Sequence, residues 1–150
     1  MIKTSFKTIL MVEDNSGDVR LTREAIRNAA SAIHLYVATD GLEALAFLKR
    51  EGTHADAPRP DLILLDLSLP KMDGHEFLFR IKMDDHLKII PTVVLSSSEA
   101  EADVIKSYQL QASCYLTKPG MLDGFENVVK CISYFWLTTA TLPPQRSNPW

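Results

Sequence analysis

The chain has 150 residues, the length of one ordinary domain, and 46% of them are hydrophobic, which is enough for a full core. Its net charge of −3 and its lack of a Lys/Arg block argue against a protein that mainly binds nucleic acid. No apolar run approaches the roughly 18–20 residues that span a bilayer, and the first residues contain no signal-peptide core, so we expect a cytoplasmic protein without a membrane segment.

Strand-like and helical patterns alternate along the chain. The strands are predicted at 6–12, 34–38, 61–66, 91–96 and 113–117. The helices are predicted at 17–30, 41–51, 74–84, 99–109 and 121–137. This alternation is typical of βαβ units, so the predicted fold class is α/β, a three-layer, doubly wound domain with a parallel sheet of five strands. We expect the domain to occupy residues 1–140, followed by a C-terminal tail at 141–150 and no output domain.

The apolar character of each strand predicts its place in the sheet. The runs at 6–12, 61–66 and 91–96 are continuously apolar, as expected for central strands that are buried on both faces. The run at 34–38 contains polar residues and the run at 113–117 is short, so both suit the edges.

Capping patterns mark the starts of three predicted helices. Asp40, Asp73 and Ser98 each stand three residues before a glutamate, which is the capping-box spacing. We therefore expect these side chains to cap the helices that follow. The segment at 54–60 is predicted to be a surface loop from its composition.

Polar side chains follow four of the predicted strands where each strand leaves the core. Glu13 and Asp14 follow the first strand, Asp66 ends the third, Ser96 ends the fourth and Lys118 follows the fifth. In an open parallel sheet, sites are built at the carboxyl ends of the strands. Converging carboxylates repel one another unless a cation neutralises them, and Mg²⁺ prefers such oxygen ligands. The pattern predicts a site for a divalent cation and a phosphoryl group, with Asp66 as a carboxylate nucleophile.

Each of these residues also has a simpler structural interpretation. Glu13 and Asp14 could cap the next helix, and Lys118 could be a surface lysine ahead of a loop. Ser96 could be an ordinary strand-end hydroxyl. A half-buried tyrosine at a sheet edge, such as Tyr115, needs no functional explanation. The two cysteines are predicted to be buried, reduced thiols; they are Cys114 and Cys131.

Four segments resemble, in order, the motifs of the receiver domain of two-component response regulators. They are MVEDN at 11–15, DLILLDLSLPKMDG at 61–74, PTVVLS at 91–96 and TKP at 117–119. The resemblance covers about residues 6–137. The insert before the third strand and the YFWL sequence near the end of the last helix are most similar to cyanobacterial phytochrome-associated response regulators.

The resemblance implies a flavodoxin-like fold with strand order 2-1-3-4-5. It implies that Asp66 is the phosphoacceptor and that Lys118 contacts the phosphoryl group. Glu13 and Asp14 would hold Mg²⁺ or Mn²⁺ together with Asp66 and the backbone carbonyl of Ser68. The acidic pair is Glu-Asp where Asp-Asp is also common, so the longer Glu13 could reach the metal through water.

The same resemblance implies a switch. Ser96 would be the switch hydroxyl, in place of the more common threonine, and Tyr115 the aromatic switch residue. Ser68 and Ser98 would flank the phosphoryl position. The peptide bond between Lys118 and Pro119 is expected to be cis, which an X-Pro bond tolerates at low energy.

The function expected from these features is that of a single-domain response regulator. It would accept a phosphoryl group on Asp66 from a histidine kinase, a cyanobacterial phytochrome in the subfamily it resembles, and signal through a changed surface. As a signalling protein rather than an enzyme, it would catalyse only its own phosphotransfer and a slow autodephosphorylation.

A second apolar stripe on the last helix predicts self-association. One stripe can face the sheet; its residues are Leu122, Phe125, Val129, Ile132 and Trp136. Val128, Cys131 and Phe135 form another stripe about 100° away. This second stripe could pack on a neighbouring helix or the tail. The preferred interpretation is a homodimer face that also includes Tyr115.

Two other functions compete with this one. The first is a Mg²⁺-dependent phosphohydrolase that uses Asp66 on external substrates, although Asp66-Leu67-Ser68 lacks a second acid and no cap-sized insertion is present. The second is a binding module that uses the same fold without phosphorylation, against which the intact Asp14, Asp66 and Lys118 argue. A flavin carrier is disfavoured because the acids after the first strand would repel the flavin phosphate.

Overall fold

A parallel sheet of five strands forms the centre of the molecule, and a computed structural model describes it for residues 6–29 and 32–144. The strands are β1 (Lys7–Val12), β2 (Ile33–Ala38), β3 (Leu62–Leu65), β4 (Thr92–Ser96) and β5 (Cys114–Thr117). The α-helices are α1 (Ser16–Ala29), α2 (Gly41–Lys49), α3 (Gly74–Lys82), α4 (Glu101–Gln109) and α5 (Leu122–Cys131). A short 3₁₀ turn, Gly52–His54, follows α2. Residue 30 of the predicted first helix and residues 145–150 of the predicted tail lie outside the described residues.

The strand order confirms the predicted topology. It is β2-β1-β3-β4-β5, and all neighbouring strands are parallel. The three continuously apolar strands occupy the centre, while β2 and β5 form the edges. β3 and β4 are buried along their whole length, whereas β2 alternates between buried and exposed positions. The carboxyl ends of all five strands therefore meet along one edge of the sheet.

The sheet separates two apolar clusters. On one face, α1 and α5 cover the sheet with side chains that include Ile26, Phe125 and Val129. On the other face, α2 and α3 contribute Leu48 and Phe77, and α4 packs beside α3 and against β5. Burial of these faces is the main source of stability, at ~25 cal/mol per Å² of apolar surface removed from water.

Two of the three predicted helix caps are present. The Asp40 carboxylate accepts the backbone N–H of Glu43 at 2.7 Å, and the Asp73 carboxylate accepts that of Glu76 at 2.9 Å. The prediction for Ser98 was wrong, because α4 begins only at Glu101 and its N-cap residue makes no side-chain capping bond. Ser98 instead bonds to Ser96 and Ala100 in the loop before the helix and to Asp103 in the first turn of α4.

The last predicted helix, at 121–137, is not one continuous α-helix. The α-helical hydrogen bonds end at Cys131, and Ile132–Thr139 is wound as a π-helix. The i→i+5 spacing is visible where the Ala140 N–H donates to the Phe135 carbonyl at 2.6 Å. β-branched and aromatic residues dominate this segment and have only modest α-helix propensity, which is consistent with the change of winding.

The side chains around α5 divide between core and surface. Phe125, Val129 and Ile132 are buried, as predicted for the sheet-facing stripe. Cys114 is half-buried but Cys131 is exposed, so the expectation of two buried thiols was wrong for Cys131, which lies on the outer side of α5. None of the helices in the described ranges is both long and apolar enough to cross a membrane.

Candidate functional site

The register of the central strands brings the predicted acids together. Val12 and Leu65 are paired across β1 and β3, so the residues that follow them leave the sheet side by side. The Asp66 N–H donates to the Val12 carbonyl at 3.0 Å, which extends this pairing beyond the strand. Glu13 and Asp66 are buried, whereas Asp14 is exposed at the mouth of the site.

The three carboxylates can share one cation. One oxygen from each of Glu13, Asp14 and Asp66 lies within 4.8 Å of the other two. Oxygen donors at this spacing suit Mg²⁺ or Mn²⁺, which bind through one or two carboxylates and complete their shell with water and phosphate oxygens. Nothing in the donor set is soft, so these residues fit the hard divalent cation predicted from the sequence.

The electrostatics of Glu13 reflect the crowding of negative charge. Burial raises the pKa of Glu13 to about 7, and the negative charge of Asp66 adds to the rise, although a hydrogen bond from Lys118 opposes it. A buried carboxylate beside another carboxylate is expected to resist ionisation in this way. A bound cation would relieve that repulsion.

Lys118 reaches into the acidic cluster from the end of β5. Its Nζ lies 2.7 Å from Glu13 Oε1, 2.8 Å from Asp18 Oδ2 and 3.5 Å from Asp66 Oδ1. Burial alone would lower the pKa of Lys118, but the hydrogen bonds to Asp18 and Glu13 outweigh it and raise that pKa. The lysine is therefore a permanent cation in the site.

The bond between Lys118 and Pro119 is trans, as is every peptide bond among the described residues, so the expected cis bond is not found. Even before proline, the trans form is favoured by roughly 0.5–1 kcal/mol. The Lys118 backbone N–H donates to the Ser96 carbonyl at 2.8 Å, which continues the β4–β5 pairing up to the site.

An open cleft of about 500 Å³ lies over the acidic cluster. Its walls come from the loops after β1, β3, β4 and β5; the lining residues are Glu13, Asp14, Asn15, Asp18, Asp66, Ser68, Ser97, Lys118, Pro119 and Gly120. Ser68 stands in the cleft as expected, but Ser97 rather than Ser98 takes the place on the β4 side. The cleft is wide enough for a phosphoryl group to approach Asp66.

Ser98 links the two predicted switch residues. Its backbone N–H donates to the Ser96 hydroxyl at 3.2 Å, and its carbonyl accepts the Tyr115 hydroxyl at 2.8 Å. The Ser98 side chain turns away from the cleft and donates to Asp103 Oδ2 at 2.6 Å. In this structure the Ser98 hydroxyl is therefore bonded to α4 and does not line the cleft, and its place beside a phosphoryl group stays a prediction.

The network continues from α4 to α3. Asp103 accepts the Ser107 hydroxyl through its backbone carbonyl at 2.8 Å, and the fully buried Ser107 also meets His75 Nε2 at 3.0 Å. His75 is in the first turn of α3, directly after the loop that carries Asp66. Hydrogen bonds thus run from the β4 end of the site, through α4, to the helix behind Asp66.

The residues of the predicted dimer face have different environments. Tyr115 and Val128 are half-buried and pack against opposite core clusters, whereas Cys131 and Phe135 are exposed. Phe135 stands edge-on to Trp136 with a centroid distance of 5.2 Å. The exposed apolar surface is therefore concentrated at the junction of α5 and the π-helix.

Sequence reasoning missed Asp18, although it makes one of the two shortest ion pairs to Lys118. The available signal was its spacing, since Asp18 lies four residues after Asp14 in the first turn of the predicted helix and so returns to the same side. An acid in a first helical turn is usually explained by the helix dipole, which hid this second role.

Comparison with known proteins agrees with this geometry. The response regulator receiver domain family matches residues 9–130. The response regulator Rcp1 of Synechocystis is 49% identical over 137 residues, covering 91% of this chain and 93% of Rcp1. The crystal structure of the phosphorylated cyanobacterial phytochrome response regulator RcpA is 51% identical, with a TM-score of 0.88, and covers 93% of this chain and 100% of RcpA.

A second structure, the Mn²⁺-bound form of Rcp1, is 48% identical with a TM-score of 0.84 and covers 92% of this chain and 99% of Rcp1. Each of these similarities covers nearly the whole of this chain and of the compared protein, and the strand order is that of the receiver fold. The four motifs, the sheet and the acidic cleft lead to the same conclusion: the chain belongs to the response regulator receiver family.

Proposed function

We propose that this chain accepts a phosphoryl group on Asp66 from a histidine kinase in the cytoplasm, and that the kinase is a phytochrome. The observation that carries the proposal is the convergence of Asp66, the acidic pair and Lys118 in one open cleft. The phytochrome partner is supported by the relatives, because RcpA is described as a cyanobacterial phytochrome response regulator.

Phosphoryl transfer would use the residues of the cleft in separate roles. A carboxylate oxygen of Asp66 attacks phosphorus as the bond from phosphorus to the kinase histidine nitrogen breaks, and the electron pair leaves with that histidine. Lys118 places its positive charge beside the incoming oxygens. A divalent cation held by Glu13, Asp14 and Asp66 would offset the negative charge of the phosphoryl group.

The acyl phosphate formed on Asp66 can later be attacked by water, which restores the carboxylate and releases phosphate. Slow autodephosphorylation therefore returns the chain to its unphosphorylated state, and it needs no substrate other than water. Ser68 and Ser97 stand in the cleft and would contact the phosphoryl group and the approaching water.

Activation would be a shift between two arrangements of Ser96 and Tyr115. The phosphoryl oxygens attract the Ser96 hydroxyl, which at rest accepts the Ser98 N–H, and Tyr115 follows because it is bonded to the other side of Ser98. Moving a population from 1:99 to 99:1 requires about 5.5 kcal/mol. Two hydrogen bonds to a charged phosphoryl group, at ~1.5–3 kcal/mol each, are of the right size.

Phosphotransfer profiling tests the proposed function. Histidine kinases of the source organism, including its phytochromes, are autophosphorylated and mixed briefly with the chain. We expect label to pass to the chain fastest from a phytochrome kinase. Equal rates from all kinases would remove the phytochrome partner but keep the phosphoacceptor. Multiple turnover on a phosphate ester would replace the proposal with a phosphohydrolase.

We also propose that the receiver signals as a homodimer through its own surface. The supporting observation is exposed aromatic surface just beyond α5, where Tyr134 is 73% and Phe135 is 52% exposed. A two-fold dimer would bury the same patch from both copies. Tyr115, Val128, Cys131 and Phe135 remain the proposed contact residues.

Sedimentation of a Phe135→Asp variant tests the dimer. We expect the wild type to sediment as a dimer and the variant as a monomer, because a carboxylate in a buried apolar interface is strongly unfavourable. Phe79→Asp is the matched control, since Phe79 on α3 is also 52% exposed but lies away from α5. A wild type that stays monomeric at high concentration, with and without phosphorylation, contradicts the dimer.

A further inference from the structure

The Lys118 ammonium is held mainly by carboxylates other than the phosphoacceptor. It has three N–H donors. Two of them are within hydrogen-bond distance of Glu13 and Asp18, at 2.7 and 2.8 Å, while Asp66 is farther away at 3.5 Å. Opposite charges would be expected to close this last gap unless something restrained the lysine. The two nearer carboxylates supply such a restraint.

Asp18 is well placed to act as an anchor. It lies in the first turn of α1, close to the partial positive charge of the helix N-terminus. Its backbone N–H donates to the Asn15 side chain at 3.0 Å, which holds the start of the helix in place. Its side chain is 22% exposed, and that of Lys118 is 10% exposed, so water screens their ion pair only partly.

Glu13 cannot fill the same role alone. It belongs to the group of carboxylates that can share a cation, and Asp18 does not. If Glu13 binds a metal ion, Asp18 is the nearby carboxylate that can still pair with Lys118 without also binding the metal. The two anchors therefore differ in what else they must bind.

We propose that Asp18 is a positioning residue that holds Lys118 beside Asp66 rather than on it. In this position Asp66 keeps a free carboxylate oxygen for attack, and the third N–H of Lys118 remains available to the phosphoryl group. The inference rests on the proposed function and adds to it a residue that the receiver motifs do not include. Without Asp18, Lys118 moves from 3.5 Å to hydrogen-bond distance of Asp66, and this tighter ion pair must loosen before each transfer.

The test measures phosphorylation of Asp66 by acetyl phosphate at saturating Mg²⁺, followed by intact-protein mass spectrometry. In this reaction an Asp66 oxygen bonds to phosphorus, the bond from phosphorus to the acetyl oxygen breaks, and acetate leaves with the electron pair. We expect Asp18→Asn to be about tenfold slower, equivalent to about 1.4 kcal/mol of barrier. Asp123→Asn, the same change in the first turn of α5, should keep the wild-type rate.

A double-mutant cycle separates positioning from a merely structural effect. If Asp18 acts through Lys118, the change Asp18→Asn should alter the rate by less than about twofold when Lys118→Met is already present. A second readout needs neither metal nor phosphate: the ¹⁵Nζ signal of Lys118 in the metal-free protein should shift in Asp18→Asn and stay in place in Asp123→Asn.

The outcomes are distinct. An unchanged rate in Asp18→Asn, an equal loss with and without Lys118, or an unmoved Lys118 signal would each overturn the positioning role while the proposed function stood. A wild-type chain that took up no phosphate would instead remove the proposed function and the positioning role together. Partial recovery of the rate in Asp18→Glu, which keeps the charge, would support the proposal.

Discussion

Asp66→Asn is expected to abolish phosphate incorporation from both a histidine kinase and acetyl phosphate. The amide has nearly the shape of the carboxylate but lacks its nucleophilic oxygen, so the chemistry is lost while the packing around this buried residue is kept. The free energy of unfolding should be unchanged or slightly higher, because one of three crowded carboxylates becomes neutral. Mass spectrometry and urea denaturation give the two quantities.

Asp73→Asn is a suitable control for this experiment. Asp73 caps α3 a few residues further along the same loop, and asparagine is an equally good capping residue. We expect this variant to be phosphorylated at the wild-type rate. Full-stoichiometry labelling of Asp66→Asn would show that another acid, such as Asp14, is the acceptor.

Gly74→Ala is expected to damage both stability and phosphorylation. A Cβ at position 74 would meet the carbonyl oxygen of Asp66 and would lie 2.6 Å from the Leu67 Cα. Both obstacles are backbone atoms, which cannot rotate away as a side chain could. Overpacking of this kind costs about 3 kcal/mol, and the main chain that carries the phosphoacceptor must shift to accommodate it. The free energy of unfolding, measured by urea denaturation, and the rate of phosphorylation by acetyl phosphate should both fall.

Gly120→Ala provides the comparison for this loss. A Cβ at position 120 would meet no atom within 4 Å, and the residue does not have a positive φ. Its free energy of unfolding should stay within about 0.5 kcal/mol of the wild type, or rise slightly because alanine restricts the unfolded chain. If Gly74→Ala were as stable as Gly120→Ala, the close approach of α3 to Asp66 would not constrain the site.

The sheet and the meeting of the acids were predictable because they follow from local patterns. Continuous apolar runs identify buried central strands, and the parallel arrangement places every strand end at one edge. These two rules predicted that Glu13, Asp66 and Lys118 would meet. Carboxylate oxygens of Glu13 and Asp66 do lie within ion-pair distance of Lys118 Nζ.

The features that sequence patterns did not reveal depend on competing partners in three dimensions. Asp18 was missed because its pairing joins a helix turn to a residue a hundred positions away. Ser98 has the spacing of a cap, but its hydroxyl oxygen accepts the N–H of Ala100, which precedes α4, while its O–H donates to Asp103. The π-winding after Cys131 makes i→i+5 hydrogen bonds, and the apolar pattern at helical spacing did not reveal this change of winding.

The bonds at Ser98 have a consequence for how freely this loop can vary. Ser96 and Tyr115 are both joined to main-chain atoms of residue 98, one to its amide and the other to its carbonyl. Every amino acid supplies the carbonyl, and every one except proline supplies the amide. The side chain at position 98 can therefore be exchanged for any residue but proline without removing the main-chain atoms that link Ser96 to Tyr115.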